Sequence, residues 1–222
     1  CPEGTVRLEL AEGTYCIDQY ENSVGANCPI TNPKTALATK QNIDANDCQA
    51  VAQSEQTPWT AVTLPQAKTL CTKRGMRLPT PLEWYEAALG TPADERCNIA
   101  SGGARTGSKP TCVSHRGVHD MVGNVWEWVD AVVIDGQYDN RSLPEEGYVA
   151  GSAADGLANA TQGEPSALYD EAYFWSAAEG QYALMRGGYY GSAEDASVYT
   201  THAKVATDFH STAVGFRCVL KL

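Results

Sequence analysis

Eight cysteines in a chain of 222 residues constrain its folding more than any other feature. They are Cys1, Cys16, Cys28, Cys48, Cys71, Cys97, Cys112 and Cys218. None forms a CxxC, so the common zinc and thioredoxin spacings are missing. Spacing points to three local loops, Cys1–Cys16, Cys28–Cys48 and Cys97–Cys112, which leaves Cys71 and Cys218 to join distant parts of the chain. Other connectivities are open to eight cysteines, and reduced thiols packed as small hydrophobes are the alternative. Several of the cysteines sit beside Gly, Asn or Pro in expected loops, which favours bridges. Bridges imply an oxidising place: extracellular, cell surface or periplasmic.

Charge excludes some partners. With 16 basic and 27 acidic residues the net charge is −11. Such a surface repels phosphate backbones and anionic membranes, so nucleic acid is not an expected partner. No apolar run is long enough for a membrane span. Because the chain starts at Cys1 and not at Met, a leader or a larger parent is expected to have been removed. No linker, repeat or low-complexity run divides the chain, so residues 1–222 are expected to form one domain.

Local signals place a few elements. Val6-Arg7-Leu8-Glu9-Leu10 alternates as a half-buried strand does, and Gly13 turns the chain toward a second strand at Tyr15-Cys16-Ile17. Residues 31–57 are polar and read as loop. Thr63 can cap a first helix, with Pro65 in its first turn and Gly75 beyond its end. Its apolar face carries Leu64, Ala67, Leu70 and Cys71. Thr80-Pro81-Leu82-Glu83 is a capping box that opens a second helix through Trp84 to Leu89. Residues 91–117 and 135–172 read as long loops, and short apolar stretches between Leu184 and Leu222 read as paired central strands.

Four runs together carry a family resemblance. They are Tyr15 to Glu21, Gly75 to Thr80 running into Glu83-Trp84, Asp120 to Trp128, and Arg186-Gly187-Gly188 with Gly215-Phe216-Arg217-Cys218. In this order the chain resembles the formylglycine-generating enzyme (sulfatase-modifying factor) family over nearly its whole length. The resemblance implies an α+β, C-type-lectin-like fold with a small central antiparallel sheet, two helices and extensive loops. It also implies a bridge from the first-helix cysteine to the GFRC-like end, Cys71–Cys218.

The family's enzymes use two cysteines shortly after the glycine pair to bind copper. The corresponding positions here hold Ser192 and Ser197. A hydroxyl is a hard ligand that stays protonated and does not hold a soft copper ion. An oxidase of the formylglycine-generating type, or an altered relative, is therefore the alternative reading, and the chain is not expected to be an enzyme. The stretch from Tyr189 to Val214 instead resembles the variable region of proteins diversified by diversity-generating retroelements. That resemblance implies a non-enzymatic surface or secreted protein whose side chains at 189–214 bind a protein or glycan on another cell, phage or host. Tyr189, Tyr190, Tyr199 and Phe209 would be rigid aromatic anchors. Ser192, Glu194, Asp195, Thr201, His202, Lys204, Thr207, Asp208 and His210 would add adaptable polar contacts, as in an antibody paratope.

A calcium site is expected from the family. Its equivalent run binds the ion through side-chain oxygen at the positions of Asp120 and Glu127, and through backbone carbonyls at those of Gly123 and Val125. Hard oxygen donors of this kind suit calcium. Trp59, Trp84, Trp126, Trp128 and Trp175 are expected as packing residues, and Arg77 and Arg217 as partners of internal carboxylates. A triad of Ser192, His202 and Asp195 lacks a nucleophile elbow and is set aside.

Overall fold

The computed structural model describes residues 1–222. Its first strands are β1 (Thr5–Leu10), β2 (Gly13–Asp18), β3 (Ser23–Val24) and β4 (Ala50–Val51). Three helices follow or lie between these: α1 (Ala36–Asp44), α2 (Leu64–Lys73) and α3 (Pro81–Ala88). The central strands are β5 (Trp126–Ile134), β6 (Gln137–Tyr138), β7 (Arg141–Ser142), β8 (Gly147–Ser152) and β9 (Ala158–Gln162). The last are β10 (Tyr173–Trp175), β11 (Gln181–Arg186), β12 (Thr201–Val205), β13 (Val214–Phe216) and β14 (Val219–Lys221).

The two helices that carry cap signals form where those signals stand. Thr63 and Thr80 each close a capping box, with Gln66 and Glu83 respectively, and each helix has Pro in its first turn. The β1–β2 hairpin turns at Gly13 and is joined by β14 in a three-stranded sheet.

The expected small antiparallel sheet with two helices is corrected on both counts. The main sheet has nine strands, in the order β7-β6-β5-β11-β12-β10-β8-β9 with β13 also on β5. It is mixed: β10 runs parallel to β12, and β13 parallel to β5. Strands β6 to β9 fall in the polar stretch read as loop. Strands β6 and β7 have two residues each and Asn159 and Ala160 of β9 are exposed, while six-residue β8 carries glycines at both Gly147 and Gly151, so no run of alternating apolar residues marks them. The third helix, α1, was hidden because its buried positions are Thr39 and Asn42, while Leu37 is exposed. These polar groups are satisfied inside. Thr39 Oγ1 accepts from Trp59 Nε1 at 3.1 Å, and the Asn42 amide bonds both backbone groups of Ile30 at 2.8–2.9 Å.

Alternate residues of the sheet feed two cores. On β11, Leu184 joins a cluster with Trp84, Val129, Phe174 and Ala203. Its neighbours Ala183 and Met185 join another with Trp59, Trp126, Trp128, Leu70 and Phe216. All eight cysteines are bridged: Cys1–Cys16, Cys28–Cys48, Cys71–Cys218 and Cys97–Cys112. The long bridge closes a separation of 147 residues and fixes α2 to the chain end, whereas Cys1–Cys16 closes 15. Loop-closure entropy grows with that length, so the long bridge contributes ~5 kcal/mol against ~3 for the short one. Thermal melts of Cys71→Ala/Cys218→Ala and Cys1→Ala/Cys16→Ala are expected to show the larger fall for the first pair, by roughly 2–4 °C per kcal/mol. Equal falls would contradict the clamp.

Candidate functional site

The segment from Tyr189 to Val214 begins at a strained corner. Gly187 and Gly188 both have positive φ, +89° and +80°. A Cβ on Gly187 would sit 2.7 Å from the Met121 carbonyl oxygen, so only glycine fits there. Arg186, just before, is fully buried. Its guanidinium lies 4.9 Å from the Trp84 ring and donates to the carbonyls of Asp155, Gly156 and Val198 at 2.7–3.2 Å. Burial lowers its pKa to about 10, leaving it charged at neutral pH.

At the other end, Arg217 is fully buried and grips Glu127 with two bonds of 2.6 and 2.7 Å. Glu127 also accepts from Trp84 Nε1 at 2.7 Å. Both oxygens of the expected calcium ligand Glu127 are thus taken by a guanidinium and an indole. Asp120 Oδ2 accepts from the Gly107 N–H at 2.6 Å. No group of three or more His, Cys, Asp or Glu side chains gathers where one ion could meet them. The expected set Asp120, Gly123, Val125 and Glu127 mixes two carboxylates with two backbone carbonyls, and Glu127 Oε1 accepts only one bond, from Arg217. Burial pushes Asp120 up to about 6, and burial with the charges of Asp120 and Glu127 pushes Glu21 well above the usual carboxylate range.

The two serines at the positions expected of catalytic cysteines serve their own loop. Ser192 Oγ accepts from the Tyr189 N–H at 3.0 Å, and Ser197 Oγ accepts from the Tyr199 N–H at 3.0 Å. Ser197 is fully buried.

The expected ligand-binding residues separate into groups. Tyr189, His202, Lys204 and Phe209 line one cleft of about 400 Å³, with Trp126 and Met185. Tyr190 lines a second cleft of about 390 Å³. Glu194 lies apart, beside Asp94, Glu95, Asp170 and Glu171. Thr207 is half-buried, and Asp208 and His210 are exposed. Asp195 is half-buried, and its carbonyl accepts from Thr200 Oγ1. Ser192 is turned into its loop, Thr201 is fully buried, and Tyr199 packs against Tyr85 and Tyr169 at 5.7 and 5.2 Å.

A row of rings outside the segment was not assigned to the site from sequence. Trp175 stacks on His202 at 5.4 Å, Trp126 meets both edge-on, and Tyr173 and Tyr148 extend the row. Phe174, between Tyr173 and Trp175, points into the core. That alternation in Tyr173-Phe174-Trp175 puts Tyr173 and Trp175 on the opposite face, where Trp175 packs against the second core as expected of it.

Residues 103–222 match the family model of the sulfatase-modifying factor enzyme 1-like domain. The chain belongs to this family. The sulfatase-modifying factor-like fold found here is also that of two Major Tropism Determinant structures. The P3c variant matches at 17% identity and TM-score 0.56, and the U1 variant at 17% and 0.53. Each match covers 100% of this chain and 53% of that chain, so the chain spans about half the length of these structures. At such identity the likeness is one of fold. Treponema denticola variable protein 1 matches at 17% identity and TM-score 0.44, over 94% of this chain and 85% of that one. No match is found among curated proteins.

His202 gives this sulfatase-modifying factor-like site a pH signature. Burial, helped by the Lys204 charge, lowers its pKa from 6.5 to about 4. A depressed value means that the neutral ring stabilises the fold above pH 6.5, and that this stability is lost as pH falls toward 4. At ~1.4 kcal/mol per tenfold change in proton affinity the loss is on the order of 3 kcal/mol. An NMR titration is expected to show His202 protonating near pH 4. A midpoint near 6.5 would contradict its packing.

Proposed function

We propose that the chain is a non-enzymatic ligand-binding protein, secreted or displayed at a surface. Segment 189–214 carries diversified side chains, as in the variable proteins of diversity-generating retroelements. The observation that carries this is the division of the segment. Its ends are held by the buried Arg186 and Arg217, while Tyr189, Tyr190, Glu194, Asp208, Phe209 and His210 lie between them at least partly open to solvent. Rigid aromatics beside short polar side chains suit recognition, because they lose little rotamer entropy on contact. Several variants of one tropism determinant share this fold, which supports a scaffold that tolerates change at its displayed face.

Family membership favours the alternative, an oxidase of the formylglycine-generating type. Ser192 and Ser197 speak against it, since neither is a thiol and both are spent on backbone N–H groups. The four bridges support an oxidising location, outside the cell or in a periplasm. No helix is long and apolar enough to cross a membrane. The ligand would be a protein or glycan on another cell, phage or host. A structural calcium ion at Asp120, Gly123, Val125 and Glu127 remains part of this proposal, and chelation of calcium-loaded protein would then lower its melting temperature.

The test lies in the DNA around the gene. A near-copy of the stretch encoding Leu184 to Cys218 is expected beside a reverse transcriptase gene, with mismatches at template adenines. A locus with neither overturns the diversification.

A further inference from the structure

The two clefts are neighbours. Tyr189 lines one and Tyr190 the other, and their rings meet at 5.1 Å to form the ridge between them. Trp126 and Ser211 of one cleft are likewise chain neighbours of Val125 and Thr212 of the other.

Their charge is the reverse of the molecule's. Acidic residues outnumber basic ones 27 to 16, yet no Asp or Glu lines either cleft. Lys34 and Arg105 line the cleft beside Tyr190, and Lys204 lines the other. Lys204 is neutralised by Glu146. Arg105 donates only to the Glu55 backbone carbonyl, at 2.6 Å, which leaves its charge uncompensated. Lys34 and Arg105 are both exposed. The acid-lined recess at Glu194 makes the contrast within one segment plain. Repulsion from the whole chain is screened beyond about 10 Å at ordinary salt, so a docked ligand feels the nearby cations first.

The rest of the lining sets the ligand's other parts. Thr57, Thr60 and Thr212 line the cleft beside Tyr190 with hydroxyl groups that both donate and accept. Tyr189, Tyr190 and Phe209 offer ring surface. A pyranose carries C–H faces for the rings and hydroxyls for the threonines. A carboxylate on it would meet the Arg105 fork and the Lys34 ammonium. A simple cation is disfavoured by the same charges. A fatty chain would suit only the more apolar cleft beside Phe209 and would leave Lys34 and Arg105 without a partner.

Building on the ligand-binding function proposed above, we infer that the paired clefts bind an acidic glycan, its carboxylate at Lys34 and Arg105 and its rings against Tyr189 and Tyr190.

Calorimetric titration of the full chain tests this with matched sugars: glucuronic and galacturonic oligomers and a sialylated lactose, each beside its uncharged counterpart. The acidic member of at least one pair is expected to bind about tenfold tighter, with the difference lost at about 1 M salt. Lys34→Glu/Arg105→Glu should abolish the difference while leaving the melting temperature unchanged, since both side chains are exposed. Equal binding, or none, across all pairs overturns the acidic-glycan assignment, as does a preference that survives the double substitution. A peptide display library panned on the chain and on Tyr189→Ala/Phe209→Ala separates the two levels. Peptides enriched only on the unaltered chain, with no sugar bound, would overturn the glycan and keep the binding face. Enrichment on neither, with no sugar bound, would overturn both.

Discussion

Arg217 is completely buried, and the carboxylate it faces, Glu127, is equally hidden. The guanidinium also donates to the carbonyls of Asp18 and His119, each at 2.9 Å. One side chain therefore ties β13 and β14 to β5, to the end of β2 and to the loop before β5. Burying such a pair gains little over an apolar core, because desolvation offsets the attraction. Removing one partner strands the other charge and costs ~3–5 kcal/mol. What the pair supplies is position, since only one docking of the chain end satisfies every donor. Next to it, Asp18 accepts from the Cys218 N–H and pairs with Arg74, while Cys218 is bridged to Cys71.

Arg186 mirrors this arrangement at the other end of segment 189–214. Trp84 connects the two, its ring under Arg186 and its indole N–H on the carboxylate that holds Arg217. The segment between is thus pinned at both ends against one helix, α3. Inside it, burial alternates with exposure. Ala196 to Val198, Ala203 and Val205 pack into the cores, while Ala206 and residues 208–210 stand in solvent. Rigid ends and a solvated middle suit a surface whose contacts change while its fold does not.

Much of this framework could be read in the sequence because it is carried by local chemistry. Thr63 and Thr80 announce their helices through capping boxes, while the bracketing of the segment by Gly187-Gly188 and residues 215–218 comes from the family resemblance. The rest depends on tertiary partners. Helix α1 buries Thr39 and Asn42, whose hydrogen bonds to Trp59 and Ile30 have no sequence signature. Strands β6 to β9 gain their pairing from neighbours already in place and not from apolar alternation. Of the residues expected at the binding face, Tyr189, Tyr190, His202, Lys204 and Phe209 meet clefts, whereas Thr201 is buried and Tyr199 packs against Tyr85. Strand register decides between these outcomes, because one residue along β12 changes the face. The cations Lys34 and Arg105 come from distant loops, and only folding brings them beside Tyr190.

On the proposed function, the stability of the scaffold is separate from the identity of the side chains at 189–214. The most direct measurement is the distribution of melting temperatures in a library randomised at Tyr189, Tyr190, Glu194, Asp208, Phe209 and His210. Most members are expected to melt within about 12 °C of the parent, since six changes of up to ~0.5 kcal/mol each amount to at most ~3 kcal/mol at roughly 2–4 °C per kcal/mol. A library in which most members are unfolded, or melt far below the parent, would contradict it.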